Sequence, residues 1–293
     1  MNKMILIRQI AVLIFIFCFN SGYAQTWNQL EKEHNDLMKN KQNDAALIKA
    51  KEIYSWVKDN ESDTSIHLPI SLKLIGNSFK SINYDSALNY YNLGLKALTK
   101  QKRGNHIQVA KILYNKATVY YNLKNDSIAL TTDVEAIKVL KKLNFPEYPF
   151  CIWSLERIGV FYCNIQNYKI AEPYFLQALD IHKKATGVEH PDYANCLMNL
   201  GILYNGIGDY KKAEPNYLQA MAIRKIVFGE EDPKYADCLN NLGLLYYNMG
   251  DYKKVETYYL QALAIRKKVL GEEHPDYAAS LNNLGIFYYE KSD

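Results

Sequence analysis

The sequence has no apolar run long enough to cross a bilayer, no marked charge excess and no catalytic signature, and each absence removes a class of function. The apolar stretch from Ile10 to Phe19 covers about half of the roughly 20 residues that a spanning helix needs. Lys3 and Arg8 precede it, and Asn20-Ser21-Gly22-Tyr23-Ala24 follows, with small residues where a signal peptidase reads. Residues 1–24 therefore read as a secretory signal, with cleavage expected after Ala24 and export across the inner membrane to the periplasm, the cell envelope or the medium. Only an uncleaved signal would tie the chain to a membrane. Cys18 follows the bulky Phe17, which does not suit a lipoprotein signal.

Formal net charge is +4, and the two bases of the signal account for half of it. Lys-Lys pairs in the remainder are diluted by nearby Glu and Asp, so no nucleic-acid partner is implied. Four cysteines remain after residue 24. Cys151 and Cys163 are 12 residues apart on one predicted helix, about 18 Å at ~1.5 Å per residue, too far for a bridge. Cys196 and Cys238 fall in one slot of successive repeats, where Ser154 and Ser280 also stand, as expected of a small-residue packing position with free thiols. The chain has no Gly-x-Ser-x-Gly, phosphate-loop, His-Glu-x-x-His or Cys-x-x-Cys motif. Gly206-Ile-Gly208 opens like a dinucleotide loop, yet Lys211 holds the third glycine position. No enzymatic activity, cofactor or metal site is expected.

What the sequence does have is tyrosine, 25 copies, and a period. Gly159/Tyr162, Gly201/Tyr204, Gly243/Tyr246 and Gly285/Tyr288 recur every 42 residues; Ala117/Tyr120 and Gly76/Phe79 extend the series backwards, and His34/Leu37 is a weaker match. Leu197, Leu200, Gly201 and Tyr204 lie at i, i+3, i+4 and i+7, one stripe of a helix. Ala213, Tyr217 and Ala220 form a second stripe, matched by Ala171 one unit earlier. Gly208-Asp209 between the stripes supplies a stop and an N-cap, so each unit is expected to be a helical hairpin. The links Gly187-Val-Glu-His-Pro191, Gly229-Glu-Glu-Asp-Pro233 and Gly271-Glu-Glu-His-Pro275 end one helix with Gly and open the next with Pro. His190 and His274 could suggest a metal, but Asp232 replaces them in the middle unit and no second ligand follows at helical spacing.

Leu-x-x-Leu-Gly-x-x-Tyr followed by Ala-x-x-x-Tyr-x-x-Ala resembles the tetratricopeptide repeat signature. Leu239-Asn-Asn-Leu-Gly243, Tyr259-Leu-Gln-Ala-Leu263 and Gly271-Glu-Glu-His-Pro275 resemble its 42-residue variant, found in kinesin light chains and many bacterial proteins. The match is strong over 148–293, moderate over 64–147 and weak over 27–60. Val255 departs from the small Ala171 and Ala213, and Pro173 and Pro215 within second helices are expected to kink them slightly.

The resemblance implies an all-α superhelix of stacked hairpins. The expected organisation is a signal over 1–24, a weakly matching hairpin over 25–63, and units over about 64–105, 106–147, 148–189, 190–231, 232–273 and a partial 274–293. It also implies an inner groove, lined by first helices, that holds a protein or peptide. Opposite the buried stripes, groove positions fall on Trp153, Glu156, Val160 and Cys163, on Asn195, Met198, Ile202 and Asn205, on Asp237, Asn240, Leu244 and Tyr247, and on Ala279, Asn282, Ile286 and Tyr289, flanked by Asn199, Asn241 and Asn283. Asparagine amides both donate and accept, which suits an extended backbone whatever its side chains. The expected function is a non-catalytic binding scaffold. The half unit ending on Gly285, Ile286 and Tyr288 keeps a second expectation open: the recruiting region of a longer signalling protein, a histidine kinase or caspase-like peptidase, continuing past Asp293.

Overall fold

The computed structural model describes residues 26–144 and 149–291. The signal expected over 1–24 lies outside them. Thirteen helices account for the secondary structure of the described residues, with no strand among them. They are α1 (26–39), α2 (Asn43–Asn60), α3 (His67–Phe79), α4 (Tyr84–Lys100), α5 (Ile107–Asn122), α6 (Asp126–Lys142), α7 (Pro149–Asn164), α8 (Tyr168–Ala185), α9 (Pro191–Gly206), α10 (Tyr210–Phe228), α11 (Pro233–Met249), α12 (Tyr252–Leu270) and α13 (Pro275–Lys291). No described helix is long and apolar enough to cross a membrane. The chain divides after Leu143 into two compact units.

Helix ends follow local chemistry. Asp209 and Asp251 cap α10 and α12, their carboxylates accepting from the amides of Lys212 and Lys254. Pro191 and Pro233 open α9 and α11, where the missing N–H has no intrahelical partner to lose. The residue before each proline is the cap: His190 Nδ1, Asp232 Oδ1 and His274 Nδ1 accept from the amide two residues on, at 3.2, 2.7 and 3.1 Å. His and Asp exchange at this slot because both present an acceptor. Pro173 and Pro215 each sit in the second turn of their helix, and α8 and α10 run through them unbroken.

In the first unit, Trp27, Ile53, Val57 and Leu74 close a core over α1–α3, while Tyr91, Leu98, Ile112 and Val119 form another over α4–α6. Lys73 is buried there, its Nζ donating to Gln108 Oε1 at 3.5 Å, and burial pushes its ammonium down to about 8. In the second unit one cluster runs from Ala171 through Leu197, Leu242 and Tyr259 to Phe287. The predicted stripes Leu197, Leu200, Gly201, Tyr204 and Ala213, Tyr217, Ala220 are all buried. The small-residue slot at Ser154, Cys196, Cys238 and Ser280 is buried throughout, and the four described cysteines are free.

The recurring glycine sets how closely the two helices of a hairpin approach. A Cβ on Gly76, Gly159, Gly201 or Gly243 would stand 2.5 Å from a ring carbon of Tyr91, Phe175, Tyr217 or Tyr259 respectively. Hydrogen bonds then join hairpin to hairpin in the second unit. Tyr204 Oη donates to Glu172 Oε1 and Tyr288 Oη to Glu256 Oε1, both at 2.7 Å, and Tyr246 Oη donates to Glu214 in the same way. The signature tyrosine thus fastens α9, α11 and α13 each to the second helix before it.

Gly243→Ala is expected to destabilise the chain by about 1–3 kcal/mol through overpacking. Shrinking the ring with Tyr259→Leu in the same chain should recover part of that loss, because touching sites are non-additive. Urea denaturation of the two single variants and the double variant checks this; simple additivity would contradict it. A second expectation concerns alkaline pH. Burial raises the phenols of Tyr91 and Tyr217, burial and the paired glutamates raise those of Tyr204 and Tyr246, and burial raises Tyr259 to about 12, against an ordinary 10.0. Their stabilising contribution is complete below pH 10 and is lost as pH rises through the folded-state values. Helicity followed by circular dichroism should therefore fall above pH 10, with phenolate absorbance rising in step with it.

Candidate functional site

First helices of adjacent hairpins in the second unit come into direct contact, α7 with α9 and α9 with α11. The second helices α8, α10 and α12 make no comparably close contact with one another. The first helices are therefore the more tightly spaced layer, and the row α7, α9, α11 and α13 is the inner one. Side-chain amides bridge the row: Asn248 Nδ2 donates to Asn205 Oδ1 at 3.0 Å and Asn283 Nδ2 to Asn240 Oδ1 at 2.8 Å.

The second helices send buried arginines toward this row. Arg224 Nη2 donates to Asn195 Oδ1 at 2.9 Å, while its Nη1 donates to the Lys234 carbonyl at 2.7 Å and faces Cys238 Sγ at 3.6 Å. One unit later, Arg266 Nη2 pairs with Asp237 Oδ1 at 2.8 Å, and Nη1 donates to the Asp276 carbonyl and to Ser280 Oγ. Each guanidinium ties its own first helix to the next, and its planar fork suits such convergent acceptors. These clamps escaped the sequence reading. Their signal was an arginine recurring 42 residues apart near the ends of α10 and α12, at 224 and 266.

The expected groove residues separate into three groups. Asn195 and Asp237 are held by the clamps. Asn205, Asn240 and Asn283 pair across helices, and Asn241 Nδ2 bonds back to the Asp237 carbonyl at 2.8 Å; Asn199 is half-buried. Asn282, Tyr247 and Tyr289 stand on the surface of the row, Tyr247 half-buried beside Tyr252 and Tyr289 72% exposed. Met198 is a correction. Expected to face the groove, it is only 6% exposed and packs its sulfur 3.5 Å from Cys238 Sγ. A helix sandwiched between its own partner and two neighbouring first helices buries a wider arc than one stripe.

Among the signature residues, Gly159, Gly201, Gly243, Ala171, Ala213, Tyr204 and Tyr246 are buried and Tyr162 is half-buried. Gly285 and Tyr288 on α13 are exposed. The surface left open on the inner row is apolar at a fixed repeat: Ile202, Leu244 and Ile286 are 45%, 41% and 47% exposed at 42-residue spacing, with Tyr247 and Tyr289 one turn further along α11 and α13.

Residues 148–226, 207–268 and 235–293 match the tetratricopeptide repeat. No curated protein matches the chain in sequence. Among solved structures it is similar to BtubC (BKLC) from P. vanneervenii, at TM-score 0.66 and 20% identity over 84% of this chain and 94% of that one. It is similar to a putative kinesin light chain from Podosopora anserina with nearly identical TPR-like repeats, at TM-score 0.58 and 18% identity over 71% and 98%. A Rap protein complexed with Competence and Sporulation Factor aligns at TM-score 0.53 and 16% identity over 90% and 87%. At these identities the likenesses carry the fold, which is generally a protein-interaction scaffold without catalysis of its own. With the signature repeating from Gly159 to Tyr288 and its hairpins packed through the glycines and tyrosines that define it, the chain belongs to the tetratricopeptide repeat family.

Proposed function

We propose that the inner row of the second unit holds an extended segment of a partner protein, so that the chain serves as a non-catalytic interaction scaffold. The observation that carries this reading is the repeated exposure of Ile202, Leu244 and Ile286 beside Tyr247 and Tyr289. Branched aliphatic side chains spaced by one hairpin offer a row of shallow apolar contacts, and flanking aromatics with a polar tip are the side chains most often found to anchor an interface. Asn282 and the amide pairs border that row with groups able to bond a peptide backbone. The Rap protein of similar fold, complexed with Competence and Sporulation Factor, supports a ligand of this general kind.

A photocrosslinking amino acid placed at Tyr247 or Tyr289 in the exported protein should capture a polypeptide, whereas the same group at Leu260, exposed on the second helix α12, should not. Leu244→Asp combined with Ile286→Asp should weaken capture about tenfold or more while leaving helicity unchanged. Equal capture at Leu260, or capture unaffected by the two aspartates, would remove the site.

We also infer export directed by residues 1–24, supported by the order of bases, apolar run and small residues within them. Mass spectrometry of the protein recovered from its native host should find Gln25 at the N-terminus; a chain retaining Lys3 would contradict cleavage.

A further inference from the structure

The arginine clamp is replaced in one hairpin. His182 stands on α8 where Arg224 stands on α10 and Arg266 on α12, each 42 residues from the last. Like them it is buried, at 3% exposure, and like them it lies between its own first helix and the next. Its surroundings differ in a concerted way. Trp153 holds the position of the clamp acceptors Asn195 and Asp237, and Glu156 holds that of Met198 and Asn240, while Cys196 keeps the slot shared by Cys238 and Ser280. Loss of the guanidinium leaves the slot without its cation at the hairpin where a carboxylate enters.

Both ring nitrogens of His182 are buried without a hydrogen-bond partner. An imidazole with neither nitrogen satisfied is costly in a packed interior, where nearly all buried polar atoms are paired. A ligand atom of His182 lies within 4.8 Å of both Glu156 and Cys196, and Cys196 Sγ donates to Glu156 Oε1 at 3.1 Å. Three helices, α7, α8 and α9, thus bring a carboxylate, an imidazole and a thiol to one point.

We propose that Glu156, His182 and Cys196 form a binding site for a divalent transition-metal ion, with Zn²⁺ as the cation its donor set suits best. One sulfur, one nitrogen and one oxygen donor form a mixed borderline set of the kind zinc accepts, and three protein ligands leave a fourth position for water or a partner's side chain. The present separations would close by rotamer adjustment toward ligand distances of about 2.0–2.3 Å. Charge also favours it: a thiolate and a carboxylate balance the two positive charges of the ion, so the loaded site is neutral in its buried setting. On binding, the S–H bond of Cys196 breaks and a metal–sulfur bond forms; the proton, and any carried by Glu156, passes to solvent, with no change of oxidation state. Burial, reinforced for Cys196 by the facing carboxylate, raises both of these groups in the free protein, so protons compete with the metal and affinity should rise with pH. His190 and Asp192, at the start of α9, are the other titratable groups whose charge reaches His182. The bound ion would take over the bridging that the guanidinium performs in the two following hairpins.

The test uses the full-length protein without an affinity tag, titrated with Zn²⁺ against a chromophoric chelator, with Co²⁺ as a spectroscopic probe of thiolate ligation. Wild type should bind one equivalent and show a sulfur-to-cobalt charge-transfer band, lost as pH is lowered. His182→Arg, which installs the group found in the other two hairpins, should remain fully helical and bind about tenfold more weakly or not at all. Cys196→Ser should abolish the charge-transfer band, whereas His190→Ala should keep both the stoichiometry and the band. Absence of binding by the folded wild type, or equal binding by His182→Arg, would overturn the site. Binding that disappears only with His190→Ala would overturn it too, assigning the ion to the exposed helix cap.

Discussion

The contact on which the fold depends is the seating of an aromatic ring against a backbone that carries no Cβ. In four hairpins a glycine on the first helix lies under Tyr91, Phe175, Tyr217 or Tyr259 of the second, and the room for even one methyl group is missing. Where the glycine is absent, its opposite number shrinks. At the equivalent repeat positions, Ala117 goes with Asp133 and the bulky His34 with Ala50, all four being buried. A larger residue on the first helix thus goes with a smaller one on the second, as close-packed interiors favour. Fixing that distance fixes where the next hairpin can rest, and the remaining inter-hairpin bonds follow from it.

In the hairpins α9–α10 and α11–α12 those bonds divide the work between two ends. The signature tyrosine reaches back to a glutamate on the preceding second helix, while the arginine near the end of the second helix reaches both its own first helix and the one that follows. Tyrosine 204, 246 and 288 therefore appear in the repeat for their hydroxyls as well as their rings. The inner row is pulled together by this arrangement, which is why the amides of Asn205 with Asn248, and Asn240 with Asn283, come within bonding distance.

The hairpins, their caps and the two buried stripes were legible in the sequence because each is a short-range property. A period of 42, a Gly-Asp turn and a Gly to Pro link all lie within a few residues of the helices they define. The groove was legible only in outline. A stripe drawn on one helix cannot say how much of that helix its neighbours cover, and Met198, expected on the open side, is covered by Cys238 from the next hairpin. Several asparagines read as a peptide-facing ladder are engaged with one another or with arginines, leaving Ile202, Leu244 and Ile286 as the regular open feature. The meeting of Glu156, His182 and Cys196 was harder still. Their separations of 26 and 14 residues match no local spacing rule for metal ligands, and only the stacking of α7, α8 and α9 brings them together.

Tyrosine-to-glutamate bonds in the second unit always span one boundary and never two. Mechanical tension along the array would therefore meet similar fastenings repeated at successive boundaries. Each would yield separately and free the same length of chain, 42 residues, or roughly 14 nm when extended. An array built this way can lengthen under load by whole hairpins while those still folded keep their packing intact.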